Sequence, residues 1–214
     1  RCDYLNGLGL KKLHYTASNG TDLTVGLMDE TMFLGGGEVS LQGIPFNANI
    51  PTEEVFATPK RGEADGIVYS SKPLSYRGQV IDNFSIRFEK GKAVEVKAGQ
   101  GEDLLKELIA MDEGASYLGE CALVPYDLPI RNSELLFFNT LFDENATCQL
   151  ALGMGLANCV RDFENRTLEE CRKLGVNDSI IHEDFMIGTK DLAIDGIDKD
   201  GKEIAVFRDG NWAF

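Results

Sequence analysis

The sequence predicts an α+β domain, a mixed and mainly antiparallel sheet with packed helices. Three observations carry that reading: a strand-rich beginning punctuated by glycine, helical patterns in the interior, and a strand-rich end. With 214 residues the chain is long enough to bury a substantial core, and nothing forces a second domain. The opening RCDYLNGLGLKKLHY reads as the end of one element running into a strand. In LHYTASNGTDLTVGLM two strands flank a turn at Ser18, Asn19 and Gly20. FLGGGEVSLQGIPFNANIPTEEVF follows, with Gly35, Gly36 and Gly37 in a row. No lysine-threonine ending and no helix pattern lie behind that triplet, so it reads as a loop and not as a phosphate cradle.

Between Gly66 and Ala98, alternation and the turn pairs Arg77-Gly78 and Lys90-Gly91 predict three or four antiparallel strands. EDLLKELIAMD then sets Leu104, Leu105, Leu108 and Ile109 on one helical face, and a second helical pattern is expected from about Asn145. TLEECRKLGVND is a third helix, with Thr167 as N-cap, Glu170 three residues on, and Gly175 ending it. The last stretch, from Ser179 to Phe214, is strand again, with tight turns at Asp200-Gly201 and Asp209-Gly210. No internal repeat or low-complexity segment is visible.

A formal charge of −14 and a pI near 4.6 repel phosphate backbones and anionic lipid, so neither nucleic acid nor a membrane is an expected partner. The five cysteines show no Cys-x-x-Cys spacing, and an odd count does not make a disulfide framework; they are expected as buried thiols in a reducing compartment. The start lacks the apolar stretch of a signal peptide, and no window has the length of a membrane helix. A cytoplasmic location is therefore expected. The chain opens without methionine and reads as a piece of a longer protein.

Four places concentrate polar groups beside apolar runs. In IIHEDFMIG, a strand would put His182 and Asp184 on one face, within reach of a single ion. Glu120 stands alone before CALV, where a carboxylate is costly to bury unless paired or bound to a cation. Glu53 and Glu54 enter the run Val55-Phe56, and the rival reading there is a helix first turn or a solvated edge. NTLFDENA reads as an N-cap cluster around Asp143 or Asn145, or as part of a site. Two glutamates, a histidine and an aspartate at strand or helix ends together suit zinc, manganese or cobalt.

The strings NIPTEEVFATP, LGECALVPYD, LFFNTLFDENATCQLALG and IIHEDFMIGTKDLAIDGI, with TDLTVGL before them and GKEIAVFRDGNWAF after, resemble the aminopeptidase T and aminopeptidase S family of dinuclear-metal aminopeptidases. The resemblance runs through nearly the whole chain. Family members are about twice as long, so it implies that residues 1–214 are the C-terminal metal-binding, catalytic domain of a longer aminopeptidase, the N-terminal domain lying outside this chain. It also implies one or two divalent ions (zinc, cobalt or manganese) on Glu54, Glu120, His182 and Asp184, with Glu53 as the alternative to Glu54. Gln149 stands where the family has a metal-binding histidine and is kept in the expected metal set, and Leu156 stands where the family has an active-site tyrosine. A glutamine oxygen is a weaker zinc ligand than imidazole, and losing a phenol removes a donor to the scissile carbonyl.

The expected activity is removal of N-terminal residues from peptides by metal-activated water. Glu120 is placed in the catalytic set, and Glu53 or Glu144 is the general base. The alternative is an impaired homologue that binds metal or peptide without turnover. A homodimer is implied by the resemblance alone; Phe137, Phe138 and Phe142 offer it weak support and read more simply as core residues.

Overall fold

The computed structural model describes residues 1–50 and 52–214. It opens on α1 (Cys2–Leu8), β1 (Leu10–Thr16) and β2 (Asp22–Leu27), followed by the short β3 (Leu34–Gly35), β4 (Gly37–Val39), β5 (Pro45–Asn47) and β6 (Val55–Ala57). Next come β7 (Pro59–Tyr69), β8 (Leu74–Tyr76), β9 (Gln79–Glu89), β10 (Lys92–Gln100), α2 (Glu102–Ile109) and β11 (Leu118–Leu123). Two single-turn helices, α3 (Pro129–Asn132) and α4 (Thr140–Asp143), precede β12 (Gln149–Gly153) and α5 (Leu168–Leu174). The chain ends with β13 (His182–Met186), β14 (Ala193–Asp198), β15 (Glu203–Arg208) and β16 (Asn211–Trp212).

A nine-stranded sheet runs β10-β9-β7-β2-β1-β14-β15-β16, with β8 pairing β9, and a five-stranded sheet runs β13-β12-β11-β6-β3. Their strand pairs are antiparallel. The alternation read from sequence becomes one face of the large sheet: Leu13 pairs with Val25, and Tyr15 with Leu23 and Ile194, all fully buried. Against that face lie Val55, Ala57, Cys121, Leu123, Leu150, Leu152 and Phe185 of the smaller sheet, in one shared core. The rings of Phe84 and Phe185 meet across it at 5.7 Å. Helix α2 packs on β9 and β10 through Leu105 and Leu108, and α5 starts with the expected capping box, Thr167 Oγ1 accepting from Glu170 N–H.

Three sequence expectations are corrected. The helical pattern from Asn145 is a 3-10 turn (Glu144–Ala146) followed by β12. All five residues of that strand are buried, so no period of two marked it in the sequence. The glycine triplet, read as loop, is shared between the short strands β3 and β4. Phe137, Phe138 and Phe142 are 41%, 62% and 39% exposed: the first two precede α4 outside any strand or helix, and α4 turns only Asp143 inward. The five cysteines are free, and four are buried. Among the described residues no helix is long and apolar enough to cross a membrane.

Candidate metal centre

The outer face of the five-stranded sheet gathers the polar residues, and strand register explains why. Residues opposite one another in an antiparallel pair project to the same face. Phe56 lies opposite Ala122, Ala122 opposite Gln149, Glu120 opposite Ala151, Ala151 opposite Asp184, and Gly153 opposite His182. Gln149, Glu120, Asp184 and His182 therefore share one face, while Cys121, Leu150 and Phe185 point into the core. The single methyl of Ala151 leaves room between Glu120 and Asp184. A β-bulge at Gly119 makes this parity work. Without the extra residue Leu118 and Glu120 would share a face; with it, Leu118 turns into the core and Glu120 to the cleft.

The cleft above this face has a volume of about 620 Å³ and is lined by Glu54, Glu120, Glu144, Gln149, His182 and Asp184. One ligand atom from each of Glu120, His182 and Asp184 lies within 4.8 Å of the others. His182 Nε2 is 3.1 Å from Glu120 Oε2 and 3.6 Å from Asp184 Oδ2. His182 Nδ1 is 2.7 Å from the Met154 carbonyl, which only accepts, so Nδ1 carries the proton and Nε2 is the nitrogen turned to the carboxylates. Asp184 Oδ1 and Gln149 Oε1 are buried without a hydrogen-bond partner among the described residues. Orphaned acceptors beside a half-buried imidazole fit a cation, which would satisfy them together. Gln149 Nε2 donates to Glu54 Oε1, and Asn49 Nδ2 donates to Glu144 Oε1 at 2.5 Å.

Crowding and burial raise the acids of the cleft. Burial, then the charge of Glu144, lifts Glu54 to about 7, against a lowering hydrogen bond from Gln149. Burial likewise raises Glu120, Glu144 and Asp184, each reinforced by a neighbouring carboxylate. Burial opposes charge on His182, yet its bond to Glu120 and the charges of Asp184 and Glu120 raise it to about 9. A divalent ion must displace these protons, so its apparent affinity is expected to rise with pH up to about 9, by about tenfold per unit for each proton released. Competition against a chromophoric chelator at several pH values checks this; a pH-independent affinity would exclude these groups as ligands.

Glu53 does not join the cleft. Adjacent residues of extended chain project oppositely, and its carboxylate lies outside, 2.6 Å from Arg1 with half its side chain exposed. Leu156 lines the cleft, its backbone held by reciprocal bonds with the Thr58 hydroxyl. The N-cap of α4 is Asn139, whose side chain accepts from Leu141 N–H, while Asp143 takes the N–H groups of Phe137 and Asn139. That frees Glu144 to face the cleft. Sequence reasoning missed Asn49 and the Met154 carbonyl as supports; Asn49 lay in a polar-dense stretch, but a backbone carbonyl leaves no mark in a sequence.

A family model described as thermophilic metalloprotease, M29, matches residues 1–212. The chain belongs to the M29 metalloprotease family. Aminopeptidase AmpS of Bacillus subtilis is 52% identical over 214 residues, covering 100% of this chain and 52% of that protein. Aminopeptidase T of Thermus aquaticus is 44% identical, covering 98% and 50%. The structure of wild-type AmpT from Thermus thermophilus superposes with a TM-score of 0.90 at 41% identity, over 100% of this chain and 52% of that one. This M29 chain thus spans about half the length of the relatives it matches. A 2,5-dihydroxypyridine dioxygenase from Pseudomonas putida shares the fold alone, with a TM-score of 0.61 at 15% identity over 99% and 57% of the two chains. The family is one of metalloproteases, which implies a divalent ion, and Glu120, His182 and Asp184 form a triad able to hold it.

Proposed function

We propose that this M29 chain is the C-terminal metal-binding, catalytic part of an aminopeptidase that removes N-terminal residues from peptides. The observation that carries the reading is the convergence of Glu120, His182 and Asp184 around unpartnered buried acceptors on the floor of a cleft wide enough for a peptide end. The relatives are named aminopeptidases, which favours turnover over the alternative of a binding module without it.

Glu120, His182, Asp184 and Glu54 would hold one or two ions, with zinc, cobalt or manganese suited to mixed imidazole and carboxylate. When bound, such an ion supplies Lewis acidity that lowers the pKa of water and polarises a peptide carbonyl. Glu144 takes the general-base role, because it lies in the cleft while Glu53 does not, and because burial raises its carboxyl towards neutrality. The negative surplus of the cleft pairs with the free α-ammonium of the substrate. Phe56 and Leu156 offer apolar wall to its side chain. Leu156 brings no donor to the developing oxyanion, a contribution commonly of about 10² to 10³ in rate. Exposed Phe138 and Leu141 support a homodimer, and free thiols with an acidic surface support a cytoplasmic setting.

The test is hydrolysis of aminoacyl chromogenic substrates by the full-length protein under zinc, cobalt and manganese, with chelator controls. Metal binding without chelator-sensitive hydrolysis would sink the reading. Glu144→Gln is expected to lower kcat by about 10² to 10⁴ with bound metal retained; unchanged kcat would remove Glu144 from catalysis. Gln149→His, which adds imidazole beside Glu54, is expected to raise zinc affinity about tenfold or more. Elemental analysis and competition titration check that outcome.

A further inference from the structure

A second pocket, of about 180 Å³, shares no lining residue with the metal cleft. It forms where the chain enters β12 and leaves β13. Gly188 N–H bonds to the Cys148 carbonyl at 3.0 Å, and Ser71 N–H to the Met186 carbonyl at 2.8 Å, drawing three segments together. Position 188 admits no side chain, because a Cβ there would lie 1.7 Å from Thr147 Oγ1. The Thr147 hydroxyl occupies that space, 2% of the residue being exposed, and among the described residues neither it nor the buried Ser71 hydroxyl has a hydrogen-bond partner.

Lys72, Arg131 and Lys190 line the same pocket as Thr147 and Ser71. Among the described residues none of the three is paired with a carboxylate. The Arg131 guanidinium lies over the Tyr126 ring at 4.0 Å and donates to the Tyr126 hydroxyl and the Asn132 side-chain oxygen, which hold its planar fork in place with donors to spare. Among the described residues no acidic side chain lines the pocket. Two carboxylates stand nearby in sequence: Asp127 accepts from Asn132, and Asp191 from Ser18 N–H and from the hydroxyl of Thr189, which also lines the pocket and shields that charge from it. In a chain of net charge −14, three cations without a carboxylate partner lining one pocket with two buried hydroxyls are a local reversal of sign.

We propose that this pocket binds a small oxyanion, with inorganic phosphate or the phosphoryl group of a small ester as the ligand chemistry. Donors alone line it in charge, and the volume is below that of a site for a larger cofactor. The Thr147 and Ser71 hydroxyls would donate at the base, with Arg131 and the two lysines closing over the anion. The site is independent of the aminopeptidase reading.

Isothermal titration of inorganic phosphate, and separately of glycerol 3-phosphate, into the full-length protein tests it. Saturable binding is expected for at least one, and their ratio tells free from esterified phosphate. Lys72→Ala with Lys190→Ala is expected to weaken it at least about tenfold, as is Thr147→Val, which keeps the shape and removes the hydroxyl. His182→Ala is expected to leave it within about twofold, separating this site from phosphate held in the metal cleft. Circular dichroism confirms folding of each variant. Absence of saturation up to about 10 mM, as for a pocket holding only water, overturns the proposal. So does an affinity that survives both pocket variants or disappears with His182→Ala.

Discussion

Replacing His182 with alanine is expected to weaken divalent-metal binding by more than about 100-fold, about 2.8 kcal/mol, and to abolish chelator-sensitive hydrolysis. Loss of a partner that merely orients a ligand already costs about 10- to 100-fold in affinity, so loss of the ligand itself sets the upper end as a floor. No second imidazole is at hand to replace it. The other histidine, His14, lies on the large sheet with its Nε2 2.8 Å from Asp22. Glu120 and Asp184 would then face each other across the cleft without the cation that His182 supplies, and both carboxyls would rise further above their ordinary range. Elemental analysis after dialysis, with His14→Ala as the control, reads the result. Full metal content in His182→Ala would overturn the assignment of the centre.

Gly119→Ala is expected to lower the unfolding free energy by about 2–3 kcal/mol and to loosen metal binding as well. A Cβ at this bulge would sit 2.2 Å from the Met154 carbonyl oxygen and 2.5 Å from that of Gly153. Both are backbone atoms and have no rotamer to escape into. The Met154 carbonyl is also the acceptor that orients the His182 ring. Pushing it away couples packing to the centre, with an expected loss of about 10- to 100-fold in metal affinity. Urea denaturation and chelator competition measure the two effects on one variant. Loss of stability with unchanged metal affinity would show that Met154 does not hold the imidazole.

Much of the architecture was legible because local rules acted alone. The turns at Arg77-Gly78, Lys90-Gly91 and Asp200-Gly201 join strands as expected, and Thr167 with Glu170 caps α5. Strand β12 was not legible: burial of all its residues erased the polar alternation that distinguishes a strand from a helix. Phe137 and Phe138 misled in the opposite sense, since apolar character does not say whether a core lies within reach.

The same division runs through the site. His182 and Asp184 share a face by a period of two within one strand, so their pairing was readable from spacing, and Glu120 stood out as a charge before a buried run. The choice between Glu53 and Glu54 depended on which way one extended segment presents its alternate side chains. The placement of Glu144 in the cleft goes with Asn139 and Asp143 taking over the cap of α4. The sequence by itself determined the antiparallel α+β plan, the family and the donor types, because these follow from turn chemistry, periodicity and matched blocks along the chain. Only the tertiary structure decided which donors meet, because they come from separated segments. Their alignment is set by inter-strand hydrogen bonds, a bulge at Gly119 and one carbonyl at Met154.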